Sequence, residues 1–211
     1  MYLPSHFAES RSEVMHALMQ AHPFATLVTQ GGMGLSADHL PLHLAAAIGP
    51  FGALQGHVAR ANPLWRDAAD SEVLAIFRGP QAYVTPSWYE TKRADGKAVP
   101  TWNYVVVHAR GRLRVIDDPA WLRGQLETLV AEHEAGFAEP WQIADAPPDY
   151  IDKMLAAIVG IEIVIGEITG KWKISQNQPG VNRAGVVAGL RGQGSDDALA
   201  IAELVAGIAA R

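Results

Sequence analysis

The stretch AYVTPSWYETKRADGKAVPTWNYVVVHARGRLRVI, residues 82–116, decides the fold class. Its outer parts are rich in β-branched and aromatic residues, which suit a pleated, half-buried surface better than a helix. Between them, Thr91 to Lys97 is polar and contains Gly96. Residues 82–89 and 99–108 therefore read as the two arms of a long hairpin. Residues 111–116 complete the run of strands.

Working outward towards the N-terminus, residues 73–77 form a compact apolar strand, and Gly79-Pro80 reads as a turn after it. Residues 53–59 read as a further strand. In residues 35–44, Leu40, Leu42 and Leu44 fall on one face and His39, Pro41 and His43 on the other, the period-2 pattern of a strand. Pro41 lacks a ladder donor and so predicts an edge or a bulge. Residues 23–29 give a first strand that ends at Gly31-Gly32. Ahead of it, Ser10 and Glu13 have capping-box spacing, and Val14, Leu18 and Met19 form an apolar stripe, so a helix is predicted over residues 11–21. Asn62 is placed to cap a short helix after Pro63.

Towards the C-terminus, Asp118-Pro119 is a helix start, an acidic cap followed by proline at the first helical position. The stripe of Leu122, Leu126, Leu129, Val130 and His133 carries that helix to about residue 135. Residues 140–148 are irregular, 149–157 helical and 160–166 strand-like. Residues 181–195 are glycine-rich without a period and read as a loop. Residues 196–210 read as an alanine-rich helix, a packing or dimer element.

Many short strands with few helices predict a mainly β fold with flanking helices, a β-barrel. Residues 1–183 are read as one domain, with 184–211 a glycine-rich loop and C-terminal helix packed on it. Side chains fill the interior of a small barrel. A large ligand would then sit at the mouth, on the outside or between two barrels.

Composition narrows the chemistry. The 211 residues include no cysteine, so disulfides, thiolate metal sites and cysteine nucleophiles are excluded. A formal net charge of -5 argues against a surface built for nucleic acid, which needs lysine and arginine against phosphates. The densest basic pair, Lys92-Arg93, reads as a solvated hairpin tip. No stretch reaches the roughly 20 apolar residues of a membrane span, so no membrane partner and a cytoplasmic location are expected. His39 and His43 are too few donors for a metal site, and none is expected. Ser87 has no nucleophile elbow or acid–base partner, which argues against a hydrolase.

Four segments concentrate polar and aromatic residues beside strands: Asp38-His-Leu-Pro41, Gly56-His-Val-Ala-Arg-Ala-Asn-Pro63, Pro100-Thr-Trp-Asn-Tyr104 and Gly170-Lys-Trp-Lys-Ile-Ser-Gln-Asn177. Together they offer amides, an aromatic wall and cations, the set that a ring-and-phosphate cofactor uses. No Walker or Gly-x-Gly-x-x-Gly sequence occurs. With Met1-Tyr-Leu-Pro-Ser-His-Phe7, His22-Pro-Phe24, Phe77-Arg-Gly-Pro80, Ala82-Tyr-Val-Thr-Pro-Ser-Trp-Tyr89, Val107-His-Ala109 and Val159-Gly-Ile-Glu162, these segments make the chain resemble the PaiB-type FMN-binding family. That family is named for negative transcriptional regulation and related in fold to pyridoxamine-phosphate oxidase. The resemblance runs to about Arg183.

The resemblance implies an FMN-binding split β-barrel, a homodimer with flavin at the subunit interface. By position, Asp38, His39, Leu40 and Pro41 would line the isoalloxazine. His57, Val58, Ala59, Arg60 and Asn62 would reach the ribityl chain and phosphate, with Arg60 the leading phosphate cation. Trp102 and Asn103 would form a second wall, contributed by the other subunit, and Lys171 and Lys173 are further cations. The family name implies DNA as a partner, while the fold relatives imply an FMN-dependent oxidoreductase or flavin reductase using NAD(P)H. The residues also admit plainer roles. Arg60 could pair with Asp67 or Asp70, His57 could be a hydrogen-bonded strand-end histidine, Trp102 could pack in the core, and the two lysines could line a solvated face.

Overall fold

A computed structural model describes residues 1–32 and 34–208. In chain order the strands are β1 (Ala8–Glu9), β2 (Phe24–Gly31), β3 (Gly34–Pro41), β4 (His43–Ala45), β5 (Ala53–Ala59), β6 (Glu72–Val84), β7 (Thr101–Ile116) and β8 (Ile158–Lys173). The helices are α1 (Ser12–Ala21), α2 (Leu64–Asp67), α3 (Lys92–Asp95), α4 (Pro119–Glu134), α5 (Pro148–Ala156), α6 (Gly180–Gln193) and α7 (Asp196–Ile208). The chain forms two compact units. The larger comprises Met19–Phe77 and His108–Ile168, the smaller Met1–Leu18, Arg78–Val107 and Thr169–Arg211. β6, β7 and β8 each contribute residues to both.

In the larger unit the strand order is β3-β2-β6-β7-β8-β5-β4. The pairings of β2 with β3 and β6, and of β5 with β4 and β8, are antiparallel. Alternation sets the faces. Ala25, Leu27 and Thr29 of β2 are buried, as are Val159, Ile161 and Ile163 of β8, while the residues between them on β2 are more exposed. α4 starts as its sequence predicts: Pro119 opens it and the Asp118 carboxylate accepts from the Ala120 N–H at 2.8 Å. Leu122 of α4 then packs with Ile143, Ile151 and Leu155, each such buried side chain contributing about 1.5–3 kcal/mol. Gly160 lets this helix approach: a Cβ there would stand 2.5 Å from Cζ3 of Trp121.

Two expectations fail in the smaller unit, both through glycine. Gly79-Pro80 is not a turn, because β6 runs unbroken through it. A Cβ at Gly79 would meet Val105 Cγ2 at 2.6 Å and Leu18 Cδ1 at 2.9 Å, so the glycine serves close packing. Residues 181–195 are not a loop either, since α6 occupies most of them. Gly185 and Gly189, one turn apart, press against Trp88. A Cβ on Gly185 would lie 2.0 Å from the Trp88 carbonyl oxygen, and one on Gly189 would lie 2.2 Å from the indole. Glycine costs a helix roughly 0.5–1 kcal/mol per position relative to alanine, and the indole packed on the bare backbone offsets it. Among the described residues no helix is long and apolar enough to cross a membrane.

Candidate functional site

The larger unit holds the first two of the four motif segments. β3 alternates, so neighbouring residues diverge. Asp38 is half-buried and its Oδ1 accepts from Asn62 Nδ2 at 2.8 Å. Asn62 also caps α2, its Oδ1 accepting from the Leu64 N–H at 2.9 Å, so one amide joins the two segments. Asp38 and Asn62 line a cavity of about 670 Å³ with Thr29, Ser36 and Asp67. His39 is exposed, bonded to Thr26 Oγ1 at 3.1 Å and stacked on Phe24 at 6.4 Å between centroids. Leu40 is buried and Pro41 half-buried.

On β5, His57 is half-buried, with Nδ1 3.0 Å from Gln125 Oε1. Gln125 was not legible as a site residue. The available signal was a polar residue within one helical turn of Leu122 and Leu129. It is 5% exposed, and its Nε2 has no hydrogen-bond partner among the described residues. Val58 is core and Ala59 is exposed. Arg60 pairs with neither Asp67 nor Asp70. Its Nη1 and Nη2 donate to the two carboxylate oxygens of Asp117 at 2.8 and 2.6 Å, Nε donates to the Ala156 carbonyl and Nη2 also to that of Ile158. The salt bridge raises the Arg60 pKa and lowers that of Asp117. Four of its five donors are thus held by its own chain, and they tie the end of β5 to the start of β8. Glu162 in β8 is likewise engaged, accepting from Gln55 at 2.9 Å and from Arg114 at 3.0 Å.

The smaller unit holds the other two segments and arranges them differently. Asn103 is 1% exposed and exchanges hydrogen bonds with the Ser175 side chain at 2.8 and 3.2 Å. Ser175 adopts φ 64°, a left-handed conformation that costs a non-glycine residue about 1–3 kcal/mol and that its surroundings must enforce. Trp102 is 51% exposed, so it is not a core residue, and it meets Tyr83 edge-on at 6.0 Å between centroids. Lys171 is 8% exposed, and its ammonium donates to the Tyr2 carbonyl at 3.0 Å. The Lys173 ammonium donates to the Thr101 hydroxyl. An exposed aromatic pair and two ammonium groups met by neutral oxygens fit the ring and the phosphate of a flavin nucleotide.

Comparison with known proteins agrees. A family described as a putative FMN-binding domain matches residues 1–167. The chain belongs to this family. Its relatives include the protease synthase and sporulation protein PAI 2 of Bacillus subtilis, 31% identical over 206 residues that cover 97% of this chain and 96% of that protein. Another is the uncharacterized protein AN0679 of Emericella nidulans, 34% identical over 241 residues and covering 97% and 96%. Among solved structures, the flavocytochrome Anf3 from Azotobacter vinelandii superposes with a TM-score of 0.60 at 16% identity, covering 79% of this chain and 69% of that one. The FAD and heme binding protein from Mycobacterium smegmatis gives 0.58 at 18% identity, covering 79% and 73%. This FMN-binding family member is of the PaiB type and has the mainly antiparallel, helix-flanked split-barrel fold that the resemblance implies.

Proposed function

We propose that this family member works as a cytoplasmic homodimer that holds FMN at its subunit interface and acts as a PaiB-type transcriptional regulator. The observation that carries the reading is that one unit holds both an exposed Trp102–Tyr83 pair and two lysines that have no acidic partner among the described residues. Soluble chains bury most of their large aromatics, and an exposed aromatic surface marks a binding surface. The correspondence with PAI 2 extends over nearly the full length of both chains, which supports assigning a shared role to the whole protein.

In this reading the contributions divide by chemistry. Trp102 gives the isoalloxazine an aromatic wall. His39, Pro41, His57 and Asn62, with the backbone of residues 57–60, offer edge hydrogen bonds and apolar contact. Asn103 acts from beneath, holding the turn after β8 through Ser175. Lys171 and Lys173, which have no acidic partner among the described residues, are the cations for the phosphate, and Arg60, whose charge Asp117 already balances, is not. FMN, when bound, supplies one- and two-electron redox chemistry.

Titration of FMN against the apoprotein, followed by quenching of flavin fluorescence, with sedimentation of the same samples, tests this. Saturation at one flavin per chain in a species of twice the chain mass is expected. A monomer that leaves FMN fluorescence unchanged would refute both parts.

A further inference from the structure

An ammonium group loses its hydration on burial, so lysine is rarely buried without an acid beside it. Lys171 breaks that pattern. It is 8% exposed. Its partners are the Tyr2 carbonyl at 3.0 Å and the faces of Tyr104 and Tyr2, whose centroids lie 5.5 and 5.7 Å from Nζ. None of these carries a charge. Lys173, two residues on and so on the same face of β8, is met by the Thr101 hydroxyl. Among the described residues, neither lysine has a carboxylate within ion-pair distance. A solvated face does not account for Lys171, because the residue is buried. Cation–π contacts and one carbonyl compensate the charge only in part.

We propose that Lys171, with Lys173 and the Thr101 hydroxyl, forms the binding site for a phosphate monoester, and that the Tyr2 carbonyl stands where an anion oxygen will bind. A lysine ammonium recognises phosphate as a point charge, without the planar fork of arginine. The same charge balance moves the phosphate away from Arg60, whose guanidinium Asp117 already neutralises. The site itself rests on the missing counter-charge. That its phosphate belongs to FMN rests on the reading above, the other source being free phosphate.

Two measurements on wild type and Lys171→Met separate these sources. The first is the thermal midpoint in inorganic phosphate against chloride at equal ionic strength. The second is the affinity for FMN against riboflavin, which differs from FMN only in lacking the phosphate. Phosphate should raise the midpoint of wild type and leave that of Lys171→Met unchanged. FMN should bind wild type more tightly than riboflavin by about tenfold to a hundredfold, the worth of a charge-assisted hydrogen bond. Lys171→Met should remove that preference and leave riboflavin binding intact. Lys171-dependent stabilisation by phosphate without binding of either flavin would keep the anion site, assign it to free phosphate and refute the FMN reading. A phosphate effect that is absent in wild type or undiminished in Lys171→Met would overturn the site, as would an unchanged preference for FMN. In that last case the FMN reading would survive. Lys171→Gln repeats both measurements with a polar, uncharged head, so the result does not depend on the folding of one variant.

Discussion

The two units treat the charged side chains of their motifs differently. In the larger, nearly every polar side chain of the motifs is answered by another from the same unit: Arg60 by Asp117, Asp38 by Asn62, His57 by Gln125, Glu162 by Arg114 and Gln55, and His43 by Glu132. In the smaller, the motif lysines meet, among the described residues, only neutral oxygens and aromatic faces, and Trp102 is left exposed. Balanced charge holds the larger unit together, whereas the unbalanced charge of the two lysines is what the proposed anion site rests on. The resemblance to the FMN-binding family marks residues in both units without distinguishing these uses. Partner counting does.

The largest expected effect tests the packing that holds the smaller unit. Gly185→Ala would drive a Cβ against the Trp88 backbone, which has no rotamer by which to escape. Overpacking of this kind costs about 1–3 kcal/mol, and urea unfolding should show a loss at or above the upper end. Gly192, in the same helix, has nothing within 4 Å of a would-be Cβ among the described residues. There the alanine substitution should instead stabilise by roughly 0.5–1 kcal/mol through helix propensity. Equal effects at the two positions would mean that Trp88 does not dock as described.

Next is the balanced cluster of the larger unit. Glu162→Ala removes a 6% exposed carboxylate and leaves the half-buried Gln55 amide without its partner, while the exposed Arg114 guanidinium turns to water. A loss near the lower end of about 1–3 kcal/mol is expected from the unpaired amide, read as a lower urea midpoint with an unchanged slope. The contrast between units is sharpest in a matched pair of substitutions. Arg60→Met should lower the thermal midpoint, since it leaves two carbonyls without their donor, whereas Lys171→Met should leave the ligand-free midpoint level or higher. Loss of stability in both would erase the distinction.

The smallest effect concerns pH. The Arg60 hydrogen bond holds the Asp117 carboxyl below its ordinary value of 3.8, against the opposing effect of burial and with a smaller contribution from the Arg60 charge. A depressed carboxyl contributes stability that is present above its unfolded pKa and lost as pH falls through the folded one. Stability should therefore drop below about pH 4, and Asp117→Asn should flatten that part of the profile. The pair is solvent-exposed, so the change should be slight.

Much of this molecule was legible in its sequence. Period-2 alternation exposed the strands, and the caps at Asn62 and Asp118 sit where their residue types require. The misread segments, Gly79-Pro80 and residues 181–195, share one cause. Glycine reads locally as a breaker, but here it clears space for Leu18, Val105 and Trp88, which are distant in sequence. The candidate site was legible as a set of residues, and not as a division of labour among them. Nothing near Arg60 in sequence points to Asp117, 57 residues away, and nothing near Lys171 shows that its closest oxygen belongs to Tyr2. Gln125 was hidden for the same reason: its polar head matters only once α4 lies over His57.

The most direct test of the account is the absorption spectrum of the protein after incubation with FMN and removal of free flavin by gel filtration. Retention of the flavin's visible band at close to one equivalent per chain is predicted, with its fine structure altered by the aromatic wall at Trp102 and less altered in Trp102→Leu. A protein that emerges colourless would contradict the account, leaving a family member that keeps the split-barrel fold without the cofactor.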